Sequence, residues 1–305
     1  MTTQPITTAP QSEPRAHREA GRAALIRRRA AGDGPPRSRR SRWQIVAFVA
    51  LAYGLSWWPS FARLANPDSA PMFAIGPSIA ALVIVGWVYG RPALRALLRS
   101  TVDPRIGRSW WAVAIPVAVA AATTMITVLV GAAAPTGSDI GQAVVATVVT
   151  LPIILVVNGP LGEELGWRGY LLPQFLRRHS PLTATLMLIP FWVAFHLPMI
   201  RTSPDRFGIP WALMIVGLAF TMTWLHLRSG GSVLLAIVFH AVVNTSTPAV
   251  VQLFGDGDRF LAIRLYAALW VLVGAVVAAG PLRRAGRGTH ADRPTVAASH
   301  DGHRR

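Results

Sequence analysis

Eight apolar stretches of about 20 residues follow one another along most of this chain, and their length constrains the fold more than any other feature. A helix of that length crosses the hydrocarbon core of a bilayer. In lipid, every backbone polar group must be satisfied internally, which such segments achieve as helices. The sequence therefore predicts an all-α, polytopic membrane helix bundle with about eight transmembrane helices. The predicted spans are residues 43–62, 71–89, 109–133, 142–162, 182–200, 209–227, 232–253 and 260–280.

The charge of the chain is distributed as membrane topology requires. Of the 305 residues, 52% are hydrophobic and only 14% are charged, yet the formal net charge is +17. All 30 basic residues are Arg, and with the N-terminus inside, 25 fall in cytoplasmic segments and five on the opposite side. Membrane proteins carry this excess in short cytoplasmic loops. The distribution predicts an N-in, C-in bundle, and it accounts for the basic charge without a nucleic-acid partner.

Composition divides the chain into three regions. Residues 1–42 are rich in Arg, Pro, Ala and Ser and have little to bury, so we expect a disordered basic cytoplasmic tail. Residues 43–280 are the predicted transmembrane domain, and residues 281–305 are a second basic tail that we expect to be disordered. No signal peptide is apparent. The absence of Cys excludes disulfides, thiolate metal sites and a Cys nucleophile.

Glu163 and Glu164 are the only acidic residues in the long apolar segments. An ionised group at membrane depth costs at least about 2.5 kcal/mol by insertion scales, so it is rarely there without a function. Glu164 and Arg168 are i and i+4 and can pair, whereas Glu163 lies about 100° away around the helix. Either one carboxylate is neutralised while its neighbour serves as a base, or the group is only a structural ion pair. The Asn-Gly-Pro sequence at 158–160 predicts a kink or unwound turn just before it.

Polar residues in later spans complete a set that can activate water. His240 and Asn244 are i and i+4, so both project from one face of a helix. His196 lies near the end of the fifth span, and His226 is expected at the membrane interface, outside the site. Each residue alone can be an ordinary hydrogen-bonding group. Together with Glu163, the residues His196, His240 and Asn244 can deprotonate water and stabilise an oxyanion. The same carboxylate and imidazoles can alternatively hold zinc.

Two of these groups of residues resemble motifs of the CPBP family of intramembrane proteases, which is also called the Abi or type II CAAX prenyl endopeptidase family. Glu163, Glu164 and Arg168 match Glu-Glu-x-x-x-Arg. His240 and Asn244 match His-x-x-x-Asn. The motifs occur in the family's order, within a CPBP-like core at about residues 142–253.

The second motif of the family, Phe-x-x-x-His, is met in spacing but not in full. His196 takes the His position, and Trp192 stands where the family has Phe. An aromatic residue in place of another is expected to keep the packing role.

The resemblance implies an eight-helix fold with a water-filled catalytic cavity that opens toward the cytoplasm. By that analogy Glu163 and His196 activate the attacking water. His240 and Asn244 stabilise the tetrahedral oxyanion. Glu164 and Arg168 pair with each other and orient the site.

The resemblance leaves the metal open, because this residue set suits both a metalloprotease and a metal-free, glutamate-dependent mechanism. If zinc or another divalent metal is present, its ligands would be Glu163, His196 and His240. A zincin-type His-Glu-x-x-His motif is absent. Serine chemistry is not expected either, because no Gly-x-Ser-x-Gly motif occurs.

The sequence therefore predicts an intramembrane endopeptidase that hydrolyses a peptide bond of a membrane-associated, prenylated or peptide substrate at a cytoplasm-facing cavity. Its partners would be the lipid bilayer and the peptide or protein substrate. One alternative is a non-catalytic membrane immunity or assembly factor. Another is a transporter that uses the buried glutamate as a proton relay. The all-Arg, Ala- and Val-rich composition predicts a multi-pass protein of a bacterial cytoplasmic membrane.

Overall fold

The structure is a computed structural model that describes residues 38–63, 70, 72–104, 107–157, 159–202, 204 and 208–285. These residues are helical or in short connections, and they contain no strand. Among them, seven helices are long and apolar enough to cross a membrane. The predicted all-α, polytopic class is confirmed. The predicted tails lie outside the described residues except for 38–42 and 281–285, which are helical.

The helices are connected by short segments, and three of them adjoin turns of different helical pitch. A 3-10 segment (Gly107–Val113) leads into the third helix, and π-helical turns follow the fifth (Trp167–Leu171) and the eleventh (Ala278–Leu282). The helices are α1 (Ser38–Ala62), α2 (Gly76–Arg99), α3 (Ala114–Leu129), α4 (Gly137–Val157), α5 (Pro160–Gly166), α6 (Leu172–Leu176), α7 (Pro181–Phe195), α8 (Leu197–Thr202), α9 (Ile209–Arg228), α10 (Val233–Gln252) and α11 (Asp256–Val277).

The break predicted at 158–160 is present at Gly159, just after α4 ends at Val157, while Asn158 lies outside the described residues. Gly159 has a φ of +108°, a conformation that glycine adopts readily, and α5 then starts at Pro160. The predicted end at residue 162 is therefore too late for α4, because the apolar residues after the break belong to a separate helix. Helical structure continues through the π turn and α6 as far as Leu176. Glu163 therefore lies roughly 20 Å along the helix from its far end, at a rise of 1.5 Å per residue.

The fifth predicted span, 182–200, is two helices rather than one. α7 has 15 residues, and the backbone leaves helical geometry at His196, with φ −89° and ψ 3°. Pro198 has no N–H to bond the carbonyl of Ala194, so it cannot continue α7. It fits the first turn of α8, where no intrahelical donor is needed. The break places His196 at the junction of the two helices.

Two glycines hold α5 against the start of α2. A Cβ added to Gly162 would overlap the carbonyl oxygen of Ala74, and one added to Gly166 would overlap that of Pro77. Small residues four positions apart let helix backbones approach closely in membranes. Both glutamates lie between these glycines in the sequence, so this contact fixes their position in the bundle.

α1 holds the C-terminal half of α7 by two long-range hydrogen bonds. Tyr53 donates its hydroxyl to the carbonyl of Phe191 at 2.6 Å. Trp57 donates Nε1 to the carbonyl of Phe195 at 2.9 Å, and this carbonyl is at the end of the helix, where no intrahelical donor follows. The two bonds fix the segment that carries Trp192.

The spans differ in how much they are enclosed by the rest of the protein. The most apolar windows of α9 and α10 are 56% and 61% buried, whereas that of α4 is only 6% buried. From Val144 onward, the exposed residues described in α4 are apolar except Thr150, as expected for a helix facing lipid. The central position of α10 brings its polar residues to the interior.

Candidate active site

The two glutamates and their partners lie together in the interior of the bundle. Glu163 is 3% exposed, Glu164 and Arg168 are 0% exposed, His196 is 7% exposed and His240 is 4% exposed. They come from α5, the following π turn, the end of α7 and the middle of α10. Charged groups buried to this degree require partners, and the structure supplies them for part of each group. Among the described residues, Oε2 of Glu164 and two nitrogens of Arg168 have no hydrogen-bond partner.

Glu164 is held by a cation and an imidazole. Its Oε1 accepts a hydrogen bond from Nη1 of Arg168 at 2.9 Å and one from Nδ1 of His240 at 2.7 Å. The ion pair allowed by the i, i+4 spacing therefore forms. Because an ionised carboxylate only accepts, Nδ1 of His240 carries a proton, and Nε2 is left as the atom that can face a substrate.

Glu163 has different hydrogen-bond partners in the described part of the chain, and they are neutral indoles. Its Oε2 accepts hydrogen bonds from the indole Nε1 of Trp167 at 3.0 Å and of Trp192 at 2.9 Å. Its Oε1 faces Gly159: a Cβ added there would lie 3.0 Å from Oε1 and 3.4 Å from Nδ2 of Asn244. One carboxylate oxygen and one side-chain amide thus converge on the space beside a glycine that has no side chain to fill it.

His196 is oriented by the backbone of its own helix. Nδ1 lies 2.9 Å from the carbonyl oxygen of Trp192, which can only accept, so Nδ1 carries the proton. In the neutral ring, Nε2 then has the lone pair that can accept a proton or a hydrogen bond from water. The ring is surrounded by aromatic side chains, with Phe195 edge-on at a centroid distance of 5.3 Å.

Arg168 and Trp192 stack and thereby join the two carboxylates. The guanidinium carbon lies 4.0 Å from the centroid of the Trp192 ring. Within the described residues, Nε and Nη2 of Arg168 have no hydrogen-bond partner, so the ring face is the neighbour that compensates this part of the buried cation. The indole connects Glu163, at its N–H, with the cation that holds Glu164.

The donor set does not fit a three-ligand zinc site. In the described part of the chain, no three side chains of His, Cys, Asp or Glu are grouped so that they could hold a metal ion. We therefore derive no chemical step through a metal.

The structure brings most of the predicted residues together, but in two groups. Glu163 and Asn244 meet beside Gly159, whereas His240 bonds Glu164. His226, expected at the interface, is 6% exposed and lies beside Gly231, outside this hydrogen-bond network.

Sequence reasoning missed the two tryptophans that bond Glu163. Trp167 follows Glu163 by four residues, which is the spacing of side chains on one helix face. Trp192 was noticed only as a replacement for Phe with a packing role, although an indole has an N–H that a phenyl ring lacks. These two features were the available signals.

Comparisons with known proteins match the part of the chain that contains this site. The family model described as type II CAAX prenyl endopeptidase, Rce1-like, matches residues 145–246, from α4 to α10. A curated protein named CAAX prenyl protease 2, from Methanococcus maripaludis, is 29% identical over 102 residues. The alignment covers 30% of this chain and 38% of that relative.

Residues 145–246 thus match the model of the family whose motifs the sequence resembles, and the relative's name refers to the same class of protease. The chain spans little more than a third of the relative's length, 38%, in this alignment. The relative is archaeal, so the bacterial source stays a prediction. With its helices of membrane-spanning length, the chain is a multi-pass membrane protein.

Proposed function

We propose that this protein is an intramembrane endopeptidase that uses Glu163 to activate water. The observation that carries the proposal is that the two neighbouring glutamates contact different groups. Glu164 is bonded to a cation and to His240, while Oε1 of Glu163 faces the space beside Gly159 and Asn244. A carboxylate and an amide directed to one buried point are suited to general base catalysis with oxyanion stabilisation. The family match and the name of the relative support the same reaction class.

The first step of the proposed reaction is attack by water on the carbonyl carbon of the scissile bond. Oε1 of Glu163 takes one proton from the water, and Nε2 of His196 accepts a hydrogen bond that orients it. The second step breaks the C–N bond, and Glu163 returns the proton to the leaving amine. Water is the only other reactant, and the products are a carboxylic acid and an amine.

Asn244 and His240 stabilise the oxyanion in this proposal. The Asn244 amide donates directly, whereas Nε2 of His240 donates only in the imidazolium form, because Nδ1 already carries the proton that bonds Glu164. The Glu164 carboxylate, 2.7 Å from Nδ1, balances the charge of that form. The carboxylate of a Ser-His-Asp triad supports its imidazolium by the same electrostatics.

The proposed substrate is a peptide segment that enters from the cytoplasmic face. The name of the relative favours the C-terminal segment of a prenylated protein. An unprenylated, membrane-associated peptide is the alternative if the chain is bacterial. In either case, the segment must reach a site roughly 20 Å along the α5–α6 helix from the Arg177–Arg178 end.

Hydrolysis of quenched fluorescent peptides by the protein in liposomes tests this function. A farnesylated peptide with a C-terminal CAAX sequence and its unprenylated twin are compared, in water enriched in ¹⁸O. We expect cleavage of at least one peptide, with one ¹⁸O atom in the new carboxylate. Glu163→Gln is expected to lower kcat by roughly 10²- to 10⁴-fold. Wild-type kcat in a folded Glu163→Gln protein would contradict the mechanism, and full biological complementation by that variant would favour the non-catalytic alternative.

A further inference from the structure

Trp192 contacts four groups of the site. Its Nε1 donates to Oε2 of Glu163 at 2.9 Å, and its ring face lies 4.0 Å from the guanidinium carbon of Arg168. Its carbonyl accepts from Nδ1 of His196 at 2.9 Å, and its ring meets that of His240 edge-on, with the centroids 5.8 Å apart. The side chain is 1% exposed, so bulk water does not compete for its N–H.

Oε2 of Glu163 has both of its lone pairs engaged. Trp167 donates at 3.0 Å and Trp192 at 2.9 Å, and each carboxylate oxygen has two acceptor positions. An indole N–H donates and never accepts, so neither tryptophan can make room for a proton on Oε2. Oε1, beside Gly159 and Asn244, is the oxygen that remains for the proton of a water molecule.

We propose that Trp192, together with Trp167, is a positioning residue that holds Oε2 of Glu163 and reserves Oε1 for the attacking water. The proposal rests on the proposed role of Glu163 as the base. Trp192 occupies the position where the family motif has Phe, which has no N–H donor. Trp167 falls at a variable position of Glu-Glu-x-x-x-Arg, so neither of the two indole donors is specified by the motifs.

The stacked Arg168 strengthens the hydrogen bond from Trp192 to Glu163. A cation over the face of an indole draws electron density from the ring, which makes the N–H a stronger donor in a low-dielectric interior. The same cation is paired with Glu164. Trp192 therefore links the orientation of the proposed base to the carboxylate that holds His240.

Kinetics of Trp192→Phe test whether the N–H, rather than the ring, matters. Phe keeps an aromatic ring at the position and removes the donor. We expect kcat to fall roughly 10- to 100-fold, the effect of a misplaced reacting group, with KM within about twofold of wild type. Trp167→Phe is expected to act in the same direction. Trp270→Phe is the matched control, because Trp270 is equally buried, on α11, and makes no contact with Glu163.

Infrared spectra of protein with ¹³C-labelled glutamate provide a readout that does not depend on activity. The Glu163 carboxylate bands are assigned by their loss in Glu163→Gln. They are expected to shift in Trp192→Phe and Trp167→Phe and to stay unchanged in Trp270→Phe. A fall in kcat without a band shift would show that only the ring packing matters and would overturn the proposal, as would an unchanged kcat.

Failure of the proposed function gives a different pattern. If Glu163→Gln keeps wild-type kcat, Glu163 is not the base, and the infrared bands still report whether the two indoles bond it. If Glu163→Gln is inactive while Trp192→Phe keeps wild-type kcat and infrared bands, the proposed function stands and the proposed positioning role of Trp192 is wrong.

Discussion

His240 bonds Glu164 and not Glu163: its Nδ1 lies 2.7 Å from Oε1 of Glu164, the oxygen that also accepts Nη1 of Arg168 at 2.9 Å. A fully buried cation thus fixes a carboxylate, and the carboxylate fixes an imidazole. Neighbouring residues on a helix point about 100° apart, which is why the two glutamates can serve separate groups. The arrangement allows the effects of charge balance and of catalysis to be separated by mutation.

Glu164→Gln is expected to lower both stability and hydrolysis. Arg168 is 0% exposed and would lose the carboxylate that it bonds, and removing one partner of a buried pair costs about 3–5 kcal/mol. Hydrolysis is expected to fall because the imidazolium form of His240 loses its adjacent carboxylate. Thermal unfolding in detergent and kcat in liposomes measure the two effects.

The double variant Glu164→Gln/Arg168→Met is the control for this prediction. Replacing both charges by neutral groups of similar size is often close to neutral for stability. We expect unfolding to return toward the wild-type temperature while kcat stays low. Recovery of kcat along with stability would mean that the pair acts only through folding.

Gly159→Ala is expected to abolish hydrolysis beyond its effect on stability. A residue with a Cβ at φ +108° is strained by about 1–3 kcal/mol, and the new methyl would lie 3.0 Å from Oε1 of Glu163. Gly131→Ala is a matched control, because Gly131 has φ +112° and no atom within 4 Å of an added Cβ. The two variants should lose similar stability, and only Gly159→Ala should lose kcat. An equal loss of kcat in both would attribute the effect to backbone strain.

The fold class followed from segment length because an apolar run of bilayer length has few structural solutions in lipid. The helix boundaries did not follow from segment length, because they depend on single residues that end a helix or extend it. Pro198 ends α7 early, and helical structure after Gly159 runs on through buried charges that a hydropathy window counts as polar. These charges satisfy one another across α5, the π turn and α10, which a window along the sequence does not contain.

The members of the site were predictable from their types and spacing, but their pairing was not. Glu164 and Arg168 are close in sequence, so their contact could be anticipated. The bond between Glu164 and His240 joins residues 76 positions apart, and the bond between Glu163 and Trp192 joins residues 29 positions apart. Both depend on how α5, α7 and α10 pack, which one sequence without its structure does not determine.

Chelators are expected to leave hydrolysis unchanged. No three candidate ligands are grouped in the residues that the structure describes. The measurement is kcat after incubation with EDTA or 1,10-phenanthroline, with the zinc content of the same samples. Loss of activity on chelation and its return with one equivalent of zinc would contradict this mechanism.

The orientation of the site in the membrane can be tested because the natural chain has no Cys. Arg99 at the end of α2 and Gly257 at the start of α11 are both exposed, so single Cys substitutions there report the two faces. The excess of Arg on one side predicts that Arg99→Cys is cytoplasmic. In intact cells, a membrane-impermeant maleimide should label Gly257→Cys and spare Arg99→Cys, and both should be labelled after lysis. The reverse pattern would place the Arg177–Arg178 end of the α5–α6 helix outside, and the proposed substrate would then have to enter from the opposite face.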